Sequence, residues 1–277
     1  MLVDTKPTTF AELVRISGLS HGTDVWTNNA EDLVKAGTAT LKEVICTRDD
    51  IMTYLIYAGL PKKDSFKIME CVRKGKGLTP EQEQLMVDNN VPEWYINSCK
   101  KIKYMFPKAH AVAYVMMAFR IAYYKVYYPV EYYCTYFTVR ADEFDAGMMI
   151  GKENVEANLK MLSEIEKPSQ KEKNLITILE LCREMYARGI DFLNIDLYKS
   201  DAKKFLPEKG KIRPPFLALP GLGEAAAASI IEARNQGEFF SIKEFQERTH
   251  VSKSVIQLMR EFNCLGALPE TDQITFF

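Results

Sequence analysis

Apolar residues recur along most of this chain at helical rather than strand spacing. Phe10, Leu13, Val14 and Ser17 share one helical face, and a second run takes in Val44, Ile45, Ile51, Leu55 and Ile56 before Gly59-Leu60-Pro61 stops it. Thr79-Pro80-Glu81-Gln82 predicts a helix start, with Thr79 as cap, Pro80 in the first turn and Gln82 placed to close a capping box. Val91-Pro92 predicts a break before the next helix. A long helix is expected from about Lys108, with a stripe through Val112, Val115, Met116 and Phe119 continued by Ala122, Val126 and Tyr127 and ended or kinked at Pro129. Two helices fit roughly 143–166 and 170–188, with Gly189 as a stop. Residues 190–197 read as extended, and Lys211–Leu219, with Pro214-Pro215, as strand or loop. Short helical units then run to Leu268. The pattern predicts a mainly α chain with a minor extended segment and a change of domain within about residues 200–215.

The length of 277 residues is enough for two or three compact units, and 47% hydrophobic with 26% charged residues is a globular profile. The net charge of -1 means that a polyanion would have to be met by local patches. The most apolar stretch, Ala109 to Val139, is interrupted by Arg120, Lys125 and Glu131, so no membrane partner is expected. Six cysteines contain no CxxC pair and read as free thiols in a reducing cytoplasm. With His21, His110 and His250 as the only histidines, no bound metal is expected. Met1-Leu2-Val3-Asp4 has neither a basic nor an apolar leader region and does not read as a domain start.

Leu219-Pro220-Gly221-Leu222-Gly223 precedes an alanine-rich helix, Glu224 to Ile231. Pro220 stops the preceding segment, two glycines permit a tight turn, and the turn amides sit at the positive helix end, where a phosphate is favoured. Small alanines allow close packing, and Ile230 and Ile231 enter the core. This resembles the helix-hairpin-helix motif, which grips duplex DNA by its backbone, and it points to Gly221, Leu222 and Gly223 as DNA-binding. A second, degenerate unit comes next: Ser241 and Glu244 form a capping box, and Ser252-Lys253-Ser254-Val255 starts a helix ending near Cys264, adding Lys253 to the DNA-binding set. Residues 211–277 hold seven Lys/Arg and eight Asp/Glu, so attraction must come from the hairpins rather than bulk charge.

Residues 61–110 contain ten Lys/Arg and six Asp/Glu. Arg73-Lys74-Gly75-Lys76-Gly77 clusters cations on a turn, Lys100, Lys101 and Lys103 form a second group, and Lys108 and His110 open the long helix. A triphosphate favours such a place, although Gly75-Lys76-Gly77-Leu78-Thr79 lacks P-loop spacing. On residue chemistry alone, a solvated basic face explains this half better. Tyr123/Tyr124, Tyr127/Tyr128, Tyr132/Tyr133 and Tyr136 recur at one-turn spacing, fit either to stack bases or, more simply, to line a helix interface with hydroxyls in water.

Gly18-Leu19-Ser20-His21-Gly22-Thr23-Asp24-Val25-Trp26, Arg73 to Thr79, Val91 to Tyr95 and Lys103 to Ala111 resemble segments of the fingers of PolC-type bacterial replicative DNA polymerases. Ile195 to Tyr198, Pro214-Pro215-Phe216 and the Pro-Gly-Leu-Gly hairpin come after them in the family's order. The Phe106-x-Lys108-x-His110-x-x-x-Tyr114 pattern is similar to that of related α subunits. The resemblance implies a C-terminal part of a DNA-directed DNA polymerase: a fingers-like helical region over 1–205, a tandem helix-hairpin-helix module over 206–268 and a tail over 269–277. It implies that Arg48, Lys74, Lys76, Lys108 and His110 contact the incoming dNTP, that the module holds primer-template duplex, and that Mg²⁺ serves the complete enzyme through palm aspartates lying before Met1. No catalytic carboxylates are expected here, because Asp49-Asp50, Asp142/Asp145 and Asp191/Asp196 read as helix or turn surface, so the chain alone is expected to be inactive. Gln273, Ile274, Phe276 and Phe277 resemble a terminal motif that binds the β sliding clamp, with Phe276 where an aliphatic is commoner. Two other readings stay open: a stand-alone helix-hairpin-helix scaffold with no role in synthesis, and a different nucleotide-handling enzyme using His110 as acid or base.

Overall fold

The computed structural model describes residues 1–271. Its contacts divide the chain into two compact units, Met1–Ile121 and Ala122–Phe277. The first carries α1 (Leu2–Thr5), α2 (Phe10–His21), α3 (Glu31–Lys35), α4 (Arg48–Tyr57), α5 (Lys62–Arg73), α6 (Pro80–Asp88), α7 (Glu93–Lys101) and most of α8 (Lys108–Tyr127). The second carries α9 (Pro129–Val139), α10 (Ala146–Met149), α11 (Lys152–Ser163), α12 (Gln170–Ala187), a two-stranded hairpin of β1 (Leu206–Glu208) and β2 (Lys211–Arg213), then α13 (Glu224–Asn235), α14 (Ile242–Thr249) and α15 (Lys253–Glu261). The chain is mainly α with a small sheet, as its periodicity predicts.

Helix ends obey local chemistry. At α6 the Thr79 hydroxyl accepts from the Gln82 amide and the Gln82 side chain accepts from the Thr79 amide, with Pro80 at the first position. Ser169 and Glu172 do the same for α12, and Gly189, at φ +77°, stops it. The helix expected over 143–166 is broken in two. Asp145 caps α10 through the Gly147 amide, and Gly151 at φ +99° turns the chain before α11 begins. Val44 and Ile45, expected within a helical run, precede α4 and are buried in loop conformation; α4 itself starts behind Thr47.

In the first unit, Leu19, Val25, Ile51, Leu55, Ile68, Val72, Met86 and Ile102 form the core, and Tyr54 stacks on buried Tyr95 with ring centroids 4.1 Å apart. Arg15 of α2 donates to the Leu41 and Val44 carbonyls at 2.7 Å each, tying α2 to the segment before α4. In the second unit one core runs from Tyr133 and Phe137 through Ile178, Phe205, Ile212 and Phe216 to Ile230, Phe245 and Met259. The change of domain expected at 205/206 falls inside this continuous core. Phe192 bridges to Ile212, and the Leu197 amide donates to the Cys264 carbonyl, so residues on the two sides of 205 pack together. The extended reading of 190–197 agrees with these contacts. Strand β1 lies outside every extended segment the pattern predicts; Lys209 and Gly210, both at positive φ, make its two-residue turn.

Candidate functional site

Four stretches distant in sequence meet at the amino end of α8. The Arg48 amide donates to the Phe106 carbonyl at 3.2 Å, and Asp49 accepts from the Lys108 amide at 2.6 Å. Thr23 and Tyr104 pair as an isolated antiparallel bridge, which lays residues 103–106 beside the end of α2. Aromatic rings then converge. His21 lies 5.5 Å from Phe106 and 6.3 Å from Tyr114, and His110 lies 4.8 Å from Phe106 and 4.6 Å from Tyr114. Tyr104 meets Phe106 edge-on at 5.7 Å. His21 Nδ1 is 2.9 Å from the Ser17 carbonyl, an acceptor; keeping that bond places the ring proton on Nδ1.

The structure thus brings Arg48, Lys108 and His110 together and adds His21, Tyr104 and Tyr114. The helical spacing of His110 and Tyr114 was legible, but the approach of His21 across eighty-odd residues was not. Asp49 changes one expectation. Expected to be a surface carboxylate, it also caps α8 and takes up one of the amides that the sequence offers to a phosphate, which leaves that helix end with one fewer free donor.

The basic turn is held against the same frame. A Cβ on Gly75 would lie 2.5 Å from the Lys103 carbonyl oxygen, which shows how closely the turn approaches the segment leading into α8. Its cations differ in state. Glu70 pairs with Arg73 at 2.5 Å and with Lys74 at 3.0 Å, and hydrogen bonds from both hold its carboxyl down at about 2. In the second group, Lys100 pairs with Glu83, and Lys101 donates to the Asn28 carbonyl at 2.8 Å. Among the described residues no carboxylate lies within ion-pairing distance of the Arg48, Lys76, Lys103 or Lys108 side chains. Lys74 is the one residue of the expected nucleotide set whose charge is already matched.

In the second unit, Pro220 and Gly221 turn the chain, Gly221 at φ +85°, and Gly223 stands as the residue before α13. Leu222 is buried and its amide donates to the Leu219 carbonyl, so it anchors the loop from inside while the glycines flank it. A Cβ on either glycine would meet nothing within 4 Å. Ala227, Ile230 and Ala233 bury the inner face of α13, and Ser229 donates to the Thr249 carbonyl of α14.

The second hairpin is His250-Val251-Ser252, where His250 at φ +55° takes the left-handed position that glycine fills elsewhere. Ser252 caps α15, whose first residue is Lys253. Of the capping box expected at α14, the Ser241 half is present, but Glu244 accepts from the Phe240 amide rather than from Ser241. Arg248 binds this unit together: it donates to the carbonyls of Ala233, Gly237 and Glu238 and lies over the Phe239 ring at 4.4 Å.

The tyrosines have mixed settings. Tyr133 is buried, while Tyr123, Tyr124, Tyr127 and Tyr128 are about half exposed and contact one another. Gln273, Ile274, Phe276 and Phe277 lie outside the described residues. Among the described residues no three His, Cys, Asp or Glu side chains converge as metal ligands, and no helix is long and apolar enough to cross a membrane. Asp50 accepts from the Cys46 and Thr47 amides, and Asp196 from the Tyr198 and Lys199 amides, which accounts for both carboxylates structurally.

Residues 1–92 match the bacterial DNA polymerase III alpha subunit finger domain, and residues 189–273 match the helix-hairpin-helix motif. The first match lies within the first compact unit and the second within the second. Over its whole length the chain is 57% identical to DNA polymerase III PolC-type of Caldanaerobacter subterraneus, 59% to that of Clostridium perfringens and 55% to that of Bacillus subtilis. It covers 20%, 19% and 19% of those proteins. The chain belongs to the PolC-type DNA polymerase III family and spans about a fifth of the length of these relatives.

Proposed function

We propose that this chain supplies the nucleotide-grasping and duplex-holding parts of a DNA-directed DNA polymerase. The observation that carries the first part is the meeting of Arg48, Lys108, His110, His21 and Tyr114 at the start of α8, where Arg48 and Lys108 have no carboxylate partner among the described residues. Unpaired cations keep their full charge for a triphosphate, and the aromatic faces beside them suit a base or sugar. Arg48, Lys108 and His110 form the inner set of phosphate contacts, and Lys76 reaches in from the basic turn. Lys74, held by Glu70, contributes only when that pair opens. Duplex primer-template lies on the Gly221–Gly223 loop and on Lys253, through backbone phosphates and without base readout. The metal-binding aspartates and their Mg²⁺ belong to the remainder of the polymerase, so the chain alone does not extend a primer.

In a reconstituted full-length enzyme, Lys108→Ala or His110→Ala is expected to lower kcat/KM for nucleotide by about 10- to 100-fold, the worth of one charged hydrogen bond, with DNA affinity little changed. Unchanged kinetics in both variants would return these residues to a solvated basic face. Templated extension by the isolated chain with Mg²⁺ would contradict the division of labour.

The tail supports a further contact on sequence grounds. Gln273 offers an amide, and Ile274 with Phe276 and Phe277 offers apolar bulk for a groove on the β sliding clamp. Burying each large side chain contributes roughly 1.5–3 kcal/mol before ordering costs, so the peptide contact is modest and acts through effective concentration on a ring already around DNA. A tail peptide titrated against clamp, beside one with Gln273→Ala, Phe276→Ala and Phe277→Ala, tests this; equal binding by both rejects it.

A further inference from the structure

The first hairpin loop has unlike ground on its two sides, both within the second unit. On one side Gly221 borders a groove of about 930 Å³ walled by Asp142, Glu143, Asp145 and Glu224, with Lys171 as its one cation among the lining residues. On the other side Pro220 and Gly221 border a groove of about 350 Å³ shared with Ser254, Gln257 and Glu261 of α15. Gln257 also lines a third groove, of about 380 Å³, between α14 and α15, where Lys243, Lys253 and Arg260 face one carboxylate, Glu270. A polyanion seated on Gly221 meets four carboxylates on the first side, and on the second one carboxylate, Glu261, beside Ser254 and Gln257 before the cations of the third groove.

The cations of that path are held lightly. Arg260 donates to Glu270 at 2.6 Å, with side-chain exposures of 40% and 71%, and Lys243 stands 3.9 Å from Glu247 with both about two-thirds exposed. Exposed pairs of this kind contribute little, less than a guanidinium gains from a phosphate. The Pro269 and Glu270 carbonyls accept from the Ile242 and Lys243 amides, so the amino end of α14 is already covered by the chain's own backbone. What the groove offers an anion is therefore its side chains.

We infer that the phosphate backbone of duplex DNA leaving the Gly221 loop runs over Ser254 and Gln257 into the α14–α15 groove, where Lys243 and Arg260 join Lys253 as contacts and DNA displaces Glu270 from Arg260. The inference rests on the duplex contact proposed for the hairpin and extends it: Lys243 and Arg260 are added phosphate contacts, and Glu270 is an internal competitor for one of them.

The test uses the full chain and a labelled duplex of arbitrary sequence, with binding measured by anisotropy across a salt series and folding checked by circular dichroism. Lys243→Gln with Arg260→Gln is expected to weaken binding and to lower the slope of log K against log salt by about 1.8, at 0.9 per phosphate contact. Glu270→Gln is expected to act in the opposite sense, tightening binding at low salt. Lys171→Gln, in the acidic groove, is expected to leave affinity unchanged. If Gly221→Val with Gly223→Val removes binding while the Lys243/Arg260 and Glu270 variants match the parent in affinity and slope, the path is wrong and the hairpin contact stands. If the glycine variant binds as the parent does, the hairpin contact beneath the inference fails as well. A loss on Lys171→Gln equal to that of the double variant would place the DNA on the wrong side and overturn the inference.

Discussion

Gly75 and Gly77 make a matched pair. Both stand at left-handed backbone, φ +68° and +73°, so an alanine at either suffers the same conformational penalty, about 1–2 kcal/mol. They differ in surroundings. The Cβ of Gly75→Ala would come 2.5 Å from the Lys103 carbonyl oxygen and 3.0 Å from the Lys103 Cα, both backbone, whereas that of Gly77→Ala would meet nothing within 4 Å. Backbone cannot rotate away as a side-chain tip can, so the turn or the 103–106 segment must move, at an overpacking cost of about 1–3 kcal/mol. Gly77→Ala is therefore expected to cost about 1–2 kcal/mol and Gly75→Ala about 2–5. The chain's two tryptophans, Trp26 and Trp94, both lie in the first unit, so their fluorescence during urea unfolding reports that unit alone. With a slope of about 1–3 kcal/mol/M, the midpoints of the two variants should differ by about 1 M. Equal midpoints, or a larger loss at Gly77, would refute the claim that the basic turn is packed on the approach to α8. In a reconstituted polymerase, Gly75→Ala should also weaken nucleotide use more than Gly77→Ala, because it shifts the frame that holds Lys108.

Glu70 is held near 2 by Arg73 and Lys74, below its unfolded value of about 4.3, so its contribution is present above pH ~4.3 and is lost as pH falls through about 2. Glu70→Gln should flatten the acid limb of the first unit's stability between those values, and an identical limb in both proteins would disprove the pairing. Cys46, Cys99, Cys134 and Cys264 are pushed up to about 12 by burial and Cys182 is raised further, while Cys71 is only half-buried. A thiol reagent at pH 8 should modify Cys71 first and the other five only on unfolding; Cys71→Ser should abolish the early phase, and its persistence would count against the described packing. Asp49→Ala removes the cap of α8 and should cost about 1 kcal/mol in the same tryptophan-detected unfolding, with no change expected if the Lys108 amide has another acceptor.

Features set by neighbours in sequence were legible in it. The Thr79–Gln82 box, the stop at Gly189, the start of α8 and the hairpin before α13 each depend on a few adjacent residues, and each stands where its chemistry predicts. The pairing of Glu70 with Lys74 was also within reach, being an i, i+4 contact on one helix, and it decides which cations keep their charge. The break at Gly151 was hidden because apolar periodicity continues across it, and β1 was hidden because Lys209 occupies a turn position that asparagine would have advertised. The ring cluster of His21, Phe106, His110 and Tyr114 lay beyond reading: nothing local in residues 18–26 specifies that they pair with residue 104.

The two hairpin glycines have a consequence for any survey of tolerated substitutions. Gly221 needs its left-handed backbone, so replacing it disturbs the loop whether or not anything is bound. Gly223 has an ordinary backbone, φ −81° and ψ 164°, and open space where a methyl group would go. Inside the protein nothing forbids alanine there beyond a weaker helix start, about 1 kcal/mol or less. A screen scored on abundance or melting would pass Gly223→Ala as harmless, whereas one scored on duplex retention would reject it if the proposed duplex contact is made there, because the methyl group would occupy the open space beside that loop. The disagreement between two such maps at one position, with agreement at its neighbour, would locate the DNA surface without a complex ever being crystallised.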